Sequence, residues 1–329
     1  MDRTPKVAII ILNWNGWQDT IECLESLFQI DYPNFQVIVV DNGSTDESVE
    51  KIKEWAMGKI PVESKYFKFN PNNKPISEDR LVLLPLKENL GFARGNNEGI
   101  RYAIVNFEPS YILILNNDTV VKSDFLDELV YVLEKDFAIG VASSKVMFYH
   151  KQEHIWFAGG SFYFLINKPF HFYYAQQDIG QIKEVSETEW VSGCCMFVNR
   201  KVFEKIGLFD EDYFNNYEDV DFCVRARKVG YRIVVVPKAK IYHKFAASMG
   251  GKFSPFYTYF RTRNNLLFFK KSGLWLPLIL NLVIFSIYST FESLRNGQIQ
   301  SIKATFIAIR DFLIGKYGFG SAGEFVKAK

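Results

Sequence analysis

Three apolar runs rich in β-branched residues, at 7–12, 36–40 and 111–115, each stop at a polar cluster. The clusters are Asn13 with Asn15, Asp41-Asn42-Gly43-Ser44, and Asn116-Asn117-Asp118. A short continuous apolar run reads as a strand buried on both faces, the kind found in parallel sheets. Between the first two runs, Ile21, Leu24, Leu27 and Phe28 recur at helical spacing. Strand, helix and strand at this spacing imply right-handed βαβ crossovers, hence an α/β fold around a mostly parallel sheet. In such a sheet, ligands bind outside the carboxyl ends of the strands. Any one of the clusters is readily explained as a turn, since Asn, Asp and Gly are turn formers. Three on one sheet edge outline a crevice.

The rest of the chain continues the pattern. Ser44 with Glu47 predicts a capping box opening a helix that ends near Gly58. Residues 59–80, with Pro61, Pro71 and Pro75, read as a surface excursion, and 81–86 as a short strand. Helices are expected at about 94–106 and 123–133. Residues 138–198 read as strands with a long insertion rich in Phe, Tyr and His. A helix at 218–228 with Gly230 behind it precedes a strand at 232–236.

Within this frame certain side chains stand out for their chemistry. Asp41 is suited to accept a hydrogen bond from a base or ribose. The Gly- and Asn-rich segment 89–97 offers backbone N–H groups near a helix start, with Arg94 close by, which suits a phosphate or ribose. It is not G-x-G-x-x-G, and the chain holds no G-x-x-x-x-G-K-[ST], so a dinucleotide fold and a P-loop are poorly supported. Asp118 suits a hard divalent cation that keeps positions for phosphate oxygens and water, with Asn117 a weaker ligand. Glu218, Asp219 and Asp221 crowd a helix start, where acids are favoured in any case. On that helix Glu218, Asp221 and Arg225 share a face, leaving Asp219 free to act as a general base. His243, in the segment 242–248, is a candidate metal ligand or phosphate contact.

Composition bears on the chain's surroundings. It is 329 residues long, 48% hydrophobic and 23% charged, a globular balance, with 31 Phe and 17 Tyr. Such aromatic content implies a large core or an apolar surface that something else covers. The net charge of +2 is unevenly spread: residues 257–329 hold ten Lys/Arg and three acids. A basic tail behind an acidic body suggests an anionic partner surface. Its basic residues interleave with apolar runs, which argues against nucleic acid. The uncharged stretch 272–291 is 20 residues long, about the length that spans a bilayer. A buried helical hairpin is the competing reading. Residues Ile299, Ile302, Phe306, Ile309 and Leu313 make one helical face, with Lys303 and Arg310 off it, a pattern that favours lying in a membrane interface. Cys23, Cys194, Cys195 and Cys223 lack metal-ligand spacing and read as reduced packing residues of a cytoplasmic protein. The first residues show no signal-peptide pattern.

Taken together, these segments resemble family 2 glycosyltransferases of the GT-A fold, nearest to the bacterial rhamnosyltransferase-like branch. The matching pieces are 39–46 (Val-Val-Asp-Asn-Gly-Ser-Thr-Asp), 89–99 (Asn-Leu-Gly-Phe-Ala-Arg-Gly-Asn-Asn-Glu-Gly) and 115–119 (Leu-Asn-Asn-Asp-Thr). Further on come 191–193 (Val-Ser-Gly), 207–211 (Gly-Leu-Phe-Asp-Glu), 218–222 (Glu-Asp-Val-Asp-Phe), and His243 with Ser248. The match runs in order from residue 7 to about 270.

The resemblance implies an inverting transfer from a nucleoside-diphosphate sugar, with dTDP-rhamnose favoured, to a hydroxyl of a glycan or polyprenol-linked acceptor. Asn13, Asp41, Asn89, Gly91, Arg94, Asn96 and Asn117 would bind the donor. Asp118 stands at the last carboxylate of the family's D-x-D, Asn116 occupies its first position, and His243 would add a ligand to Mg²⁺ or Mn²⁺. Asp219 matches the catalytic base, and Trp190, Gly193 and Glu218 lie on the acceptor side. A transferase domain is expected over 1–256, with nucleotide-sugar binding in 1–120 and the acceptor side and base in 121–256. A basic helical region follows at 257–329, peripheral at the inner face of the membrane, so that a chain ending near 256 would be soluble. The competing functions are a sugar-nucleotide or polysaccharide-binding module without catalysis, a nucleotidyltransferase and a glycoside hydrolase. The nucleotidyltransferase lacks its basic Gly-rich loop after the first strand, and the hydrolase needs no nucleotide crevice.

Overall fold

The computed structural model describes residues 4–325 apart from 63, 69–74, 78, 163–168, 246–253 and 296. Ser248 and Pro71 therefore lie outside the described residues. The first half alternates strand and helix: β1 (Val7–Asn13), α1 (Trp17–Leu27), β2 (Phe35–Asp41), α2 (Ser48–Ala56), β3 (Leu81–Pro85), α3 (Gly91–Phe107) and β4 (Tyr111–Asn116). Next come β5 (Thr119–Val121), α4 (Phe125–Lys135), β6 (Ile139–Phe148), β7 (Ile155–Phe157), β8 (Gly160–Phe162), β9 (Pro169–His171), β10 (Ser186–Glu187) and β11 (Cys195–Asn199). The chain continues through α5 (Arg200–Ile206), α6 (Glu218–Lys228), β12 (Arg232–His243), α7 (Pro255–Ser272), α8 (Trp275–Arg295) and α9 (Ile299–Leu313).

The main sheet runs β10-β12-β6-β11-β4-β1-β2-β3, with β5 on β12 and β7 on β6. β1 pairs in parallel with β2 and β4, and β2 with β3, as the crossovers require. The register sets Asn13 opposite Asp41, and Leu12 opposite Asn116. The three polar clusters thus meet on one sheet edge. β11 runs antiparallel to β4 with Cys195 opposite Leu115, so the turn before β11 arrives at that edge as well. Residues 7–11, all of β2, and 112–114 are buried, the two-sided burial that their apolar runs imply.

Three expectations change. The second helix begins at Ser48, not Ser44, and shows no capping box. The Ser44 hydroxyl is committed to Asp41 and Asn13, and Asp46 Oδ1 instead accepts from Ser48 N at 3.0 Å. The 89–97 segment is mostly helix, since α3 starts at Gly91. β12 does not stop before Pro237; it runs to His243, with an irregularity after Val236. Burial of the helices after 256 holds for α7, which packs into the core of the sheet itself. Leu266, Leu267, Phe268 and Phe269 of α7 are buried in the same core as the strands.

Neither reading of 272–291 holds as stated. Among the described residues no helix is long and apolar enough to cross a membrane. α8 is buried on one side only: Leu278 and Asn281 are buried, whereas Trp275, Leu276, Ile279, Val283 and Ile287 are exposed. On α9 the buried side is Ser301, Ala304, Thr305, Ile307, Ala308, Asp311 and Phe312. Ile299, Phe306 and Leu313 of the expected apolar face point outward.

Candidate active site

The loops after β1 and β2 are tied to each other before any ligand arrives. Asn13 Nδ2 donates to Asp41 Oδ1 at 2.8 Å, and Thr20 Oγ1 donates to Asn13 Oδ1 at 2.8 Å. Ser44 donates to both Asp41 oxygens, Oγ to Oδ1 at 2.6 Å and N to Oδ2 at 3.0 Å. A carboxylate has about four acceptor positions. Three are used here, which leaves one, on Oδ2, for an incoming N–H. Asn15 joins the same loops: its Oδ1 accepts from Thr45 N at 2.7 Å.

The 89–97 segment spends most of its polar groups internally. Asn89 Oδ1 accepts from Asn42 Nδ2 at 2.9 Å and from Gly91 N at 2.8 Å. Gly91 sits at φ 81°, and a Cβ there would stand 2.4 Å from the Phe214 carbonyl oxygen, so packing alone demands glycine. Asn96 Nδ2 donates to Phe92 O, and Asn97 holds Phe209 through both its amide groups. Arg94 is exposed and lies 3.6 Å from Glu211. Asn117 Nδ2 donates to Thr20 Oγ1 at 3.0 Å. The sequence reading missed Asn42, which is buried and clamps the 89–91 turn through Asn89, Leu90 N and Gly91 O. Its place inside the second polar cluster was the available signal.

Asp118 and His243 come together because β5 pairs with the end of β12, with Thr119 opposite His243. Asp118 Oδ1 and His243 Nε2 stand 3.0 Å apart. The approach is not aligned as a hydrogen bond. Asp118 Oδ1 and His243 Nδ1 are both buried without a hydrogen-bond partner among the described residues. Trp156 covers the imidazole edge-on, 4.4 Å between ring centroids. Burial is the largest influence and acts to raise the Asp118 pKa, but His243, the Asp118 backbone and Lys244 together outweigh it and leave the carboxyl below its ordinary value. Two ligands about 2.1 Å from one octahedral cation and at right angles lie about 3.0 Å apart. The pair fits a divalent cation on that ground. Among the described residues no third His, Cys, Asp or Glu joins it, so most positions would fall to ligand oxygens and water.

Asp219 lies in the first turn of α6, partly exposed. Its Oδ2 accepts from Gly193 N at 2.9 Å and its Oδ1 from Val220 N at 2.8 Å. A Cβ at Gly193 would stand 2.9 Å from the Phe92 ring, so a larger residue there would have to displace that ring. Burial raises the Asp219 pKa and the two N–H groups hold back part of that rise. Glu218 is buried, its Oε2 has no hydrogen-bond partner among the described residues, and burial and the Asp219 charge push its pKa well above the ordinary value. Asp221 instead pairs with Arg225 at 2.7 Å, apart from Asp219 as the helical spacing implies, but Glu218, expected on the same face, does not join that pair. Trp190 is buried against Gly160, with its Nε1 donating to Ser161 O, so its ring is walled in by the chain.

Cys194 links the two carboxylates. Its carbonyl accepts from Asn116 N at 3.0 Å, and its neighbour Gly193 holds Asp219. Burial raises the Cys194 pKa, and Asp118 and Asp219 are both among the charges that raise it further. A cation-compatible pair and a backbone-held carboxylate therefore flank one turn at the carboxyl edge of the sheet. All four cysteines are buried free thiols.

Residues 8–207 match the family model for glycosyl transferase family 2, and residues 111–309 match glycosyl transferase family group 2. The low-salt glycan biosynthesis hexosyltransferase Agl10 of Haloferax volcanii is 23% identical over 69% of this chain, which spans 63% of that protein's length. The dTDP-rhamnosyl transferase RfbF of Shigella flexneri is 24% identical over 77% of this chain and 85% of its own. Among solved structures, the mannosyltransferase PcManGT from Pyrobaculum calidifontis, in complex with GDP-Man and Mn²⁺, superposes with a TM-score of 0.57 at 16% identity. That match covers 96% of this chain and 89% of the other.

Proposed function

The chain belongs to glycosyl transferase family 2, and we propose that it transfers a hexose, with inversion, from a nucleoside diphosphate to a hydroxyl of a glycan acceptor. The observation that carries the reading is Asp219: a partly exposed carboxylate with a raised pKa, fixed by the Gly193 N–H beside the Asp118–His243 pair. A sugar hydroxyl is a poor nucleophile and needs its proton removed as it attacks. A carboxylate with a raised pKa is the stronger base, and the raised value keeps it matched to that task.

Asp41, with one acceptor position left, is placed for the N–H of a pyrimidine base. Arg94 and Asn117 would be donor contacts at the same edge of the sheet, while Asn13, fully buried, would act only by holding Asp41. Asp118 and His243 would hold Mg²⁺ or Mn²⁺, which when bound supplies positive charge for the departing diphosphate. Attack from the side of Asp219, opposite the leaving group, inverts the anomeric carbon. RfbF favours dTDP-rhamnose as the donor, and PcManGT, solved with GDP-Man and Mn²⁺, is consistent with a cation at the site.

The outward apolar side chains of α8 and α9 support a place at an anionic membrane face, where polyprenol-linked acceptors lie. Lys303 and Arg310 flank that face but are paired with Glu324 and Asp311, so burial of the apolar side chains would carry most of the attraction. Incubating the purified protein with dTDP-rhamnose and a panel of UDP- and GDP-sugars, and scoring nucleoside diphosphate release, tests the reading. Release from a dTDP- or UDP-sugar is expected. Release from GDP-sugars alone would refute both the role of Asp41 and the donor class.

A further inference from the structure

The chain enters α6 through two consecutive residues in the left-handed region, Asn216 at φ 69° and Tyr217 at φ 78°. Neither is glycine, so the surroundings must hold both against their intrinsic preference. Asp219 lies two residues beyond Tyr217, so whatever fixes this entry also aims its carboxylate.

Helix α7 supplies the hold. Asn264 is fully buried, and its Nδ2 donates to the carbonyl oxygens of Asn215 at 2.7 Å and Asn216 at 2.9 Å. Its Oδ1 accepts from Arg263 Nε at 3.0 Å and Nη2 at 2.8 Å. Both donors and the acceptor are engaged, so the amide has a single satisfactory orientation. The next residue, Asn265, donates to the Tyr217 hydroxyl at 2.6 Å. Arg263, also fully buried, lies 3.3 Å from the Tyr259 hydroxyl and 3.4 Å from Asp212 O. Tyr259 in turn donates to Asp311 of α9 at 2.7 Å. A buried polar network thus runs from α9 through α7 to the turn that carries the carboxylates.

We infer that Asn264 is a positioning residue for Asp219, acting through the backbone of Asn215 and Asn216 and touching no substrate. The inference rests on the reading of Asp219 as the base. It makes the C-terminal helices part of the catalytic apparatus in addition to any surface they offer.

The test compares the full-length wild type with Asn264→Ala and with Asn264→Ala/Asn216→Gly. Turnover is read as nucleoside diphosphate release and binding as calorimetry with dTDP and UDP. Asn264→Ala should lower kcat on the order of 10- to 100-fold, as misplacement of a reacting group does. Nucleotide affinity should stay within about twofold, because only the base is displaced. Adding Asn216→Gly should recover most of the loss, since glycine takes a positive φ without strain. A kcat within about twofold of wild type, or no recovery with Asn216→Gly, overturns the inference. If Asn264→Ala does not bind nucleotide, Asn264→Asp takes its place, removing the two N–H donors at nearly constant volume. A fall in kcat with binding intact supports the hold, and unchanged kcat overturns it. Asp219→Asn run alongside separates the two readings: if it is inactive while Asn264→Ala is unimpaired, the inference alone fails. If Asp219→Asn is active, the base assignment fails. Amide hydrogen exchange of residues 213–222 then reads the hold by itself, rising in Asn264→Ala if α7 fixes the turn and unchanged if it does not.

Discussion

Ending the chain after residue 256 removes α7, α8 and α9 and should unfold what remains. The magnitude follows from α7. Tyr259, Phe260, Leu266, Leu267, Phe268 and Phe269 are almost completely buried. At about 1.5–3 kcal/mol for each large apolar side chain, their burial is worth on the order of 10 kcal/mol. The net stability of a domain is only about 5–15 kcal/mol. The loss reaches further, because Phe162 stacks on Phe268 with ring centroids 5.9 Å apart, and Tyr217 loses its partner Asn265. The expectation of a soluble fragment treats 257–329 as an appendage, whereas α7 shares the core of the sheet. Expression of residues 1–256 beside the full chain, followed by circular dichroism and thermal melting, checks the point. The fragment should aggregate or melt without cooperativity. A soluble fragment with a cooperative transition within a few degrees of the full chain would refute the reasoning.

Three further outcomes are expected. Glu218→Gln should raise the melting temperature at pH 8, with the gain shrinking toward pH 4. A buried carboxyl whose folded pKa is raised favours the fold at low pH and loses that contribution as pH rises through the raised value, by about 1.4 kcal/mol per pH unit. Equal melting of the two proteins across that range would contradict the burial argument. Activity should require Mg²⁺ or Mn²⁺, and Asp118→Ala should weaken calorimetric binding of dTDP in the presence of Mn²⁺ more than His243→Ala does. Full turnover after dialysis against EDTA would remove the cation from the account. The full chain should float with anionic vesicles at low salt, and Ile279→Glu with Phe306→Glu should weaken that binding at least about tenfold, since each buried apolar side chain is worth about 1.5–3 kcal/mol. No binding by the unmutated protein, with a stable dimer in sedimentation, would assign the face to a second copy.

Local pattern made the sheet edge legible. Asn13, Asp41 and Asp118 each terminate or follow an apolar run, and parallel pairing brings such ends together whatever the loops do. Helical spacing at 218–225 likewise separated Asp219 from the Asp221–Arg225 pair. What stayed hidden depends on long-range packing. The spacing of Ser44 and Glu47 could not reveal that the serine hydroxyl is drawn to Asp41 and Asn13 across the sheet. The glycine at 91 reads as a ligand loop until the Phe214 carbonyl is seen against it. The region after 256 reads as a membrane-associated tail because composition does not distinguish a side chain in the core, such as those of α7, from one against lipid. Asn264 gave no local signal, since both carbonyls it holds lie nearly fifty residues earlier in the chain.

In the proposed transfer, Asp219 removes the proton from the acceptor hydroxyl. Asp219→Asn tests it most directly, because the amide keeps the volume while giving up most of the basicity. Nucleoside diphosphate release should fall roughly 10²-fold or more, while calorimetric binding of the donor nucleotide stays as in the unmutated protein. Near-normal turnover in Asp219→Asn, with activity lost instead in Glu218→Gln or Asp221→Asn, would contradict the account.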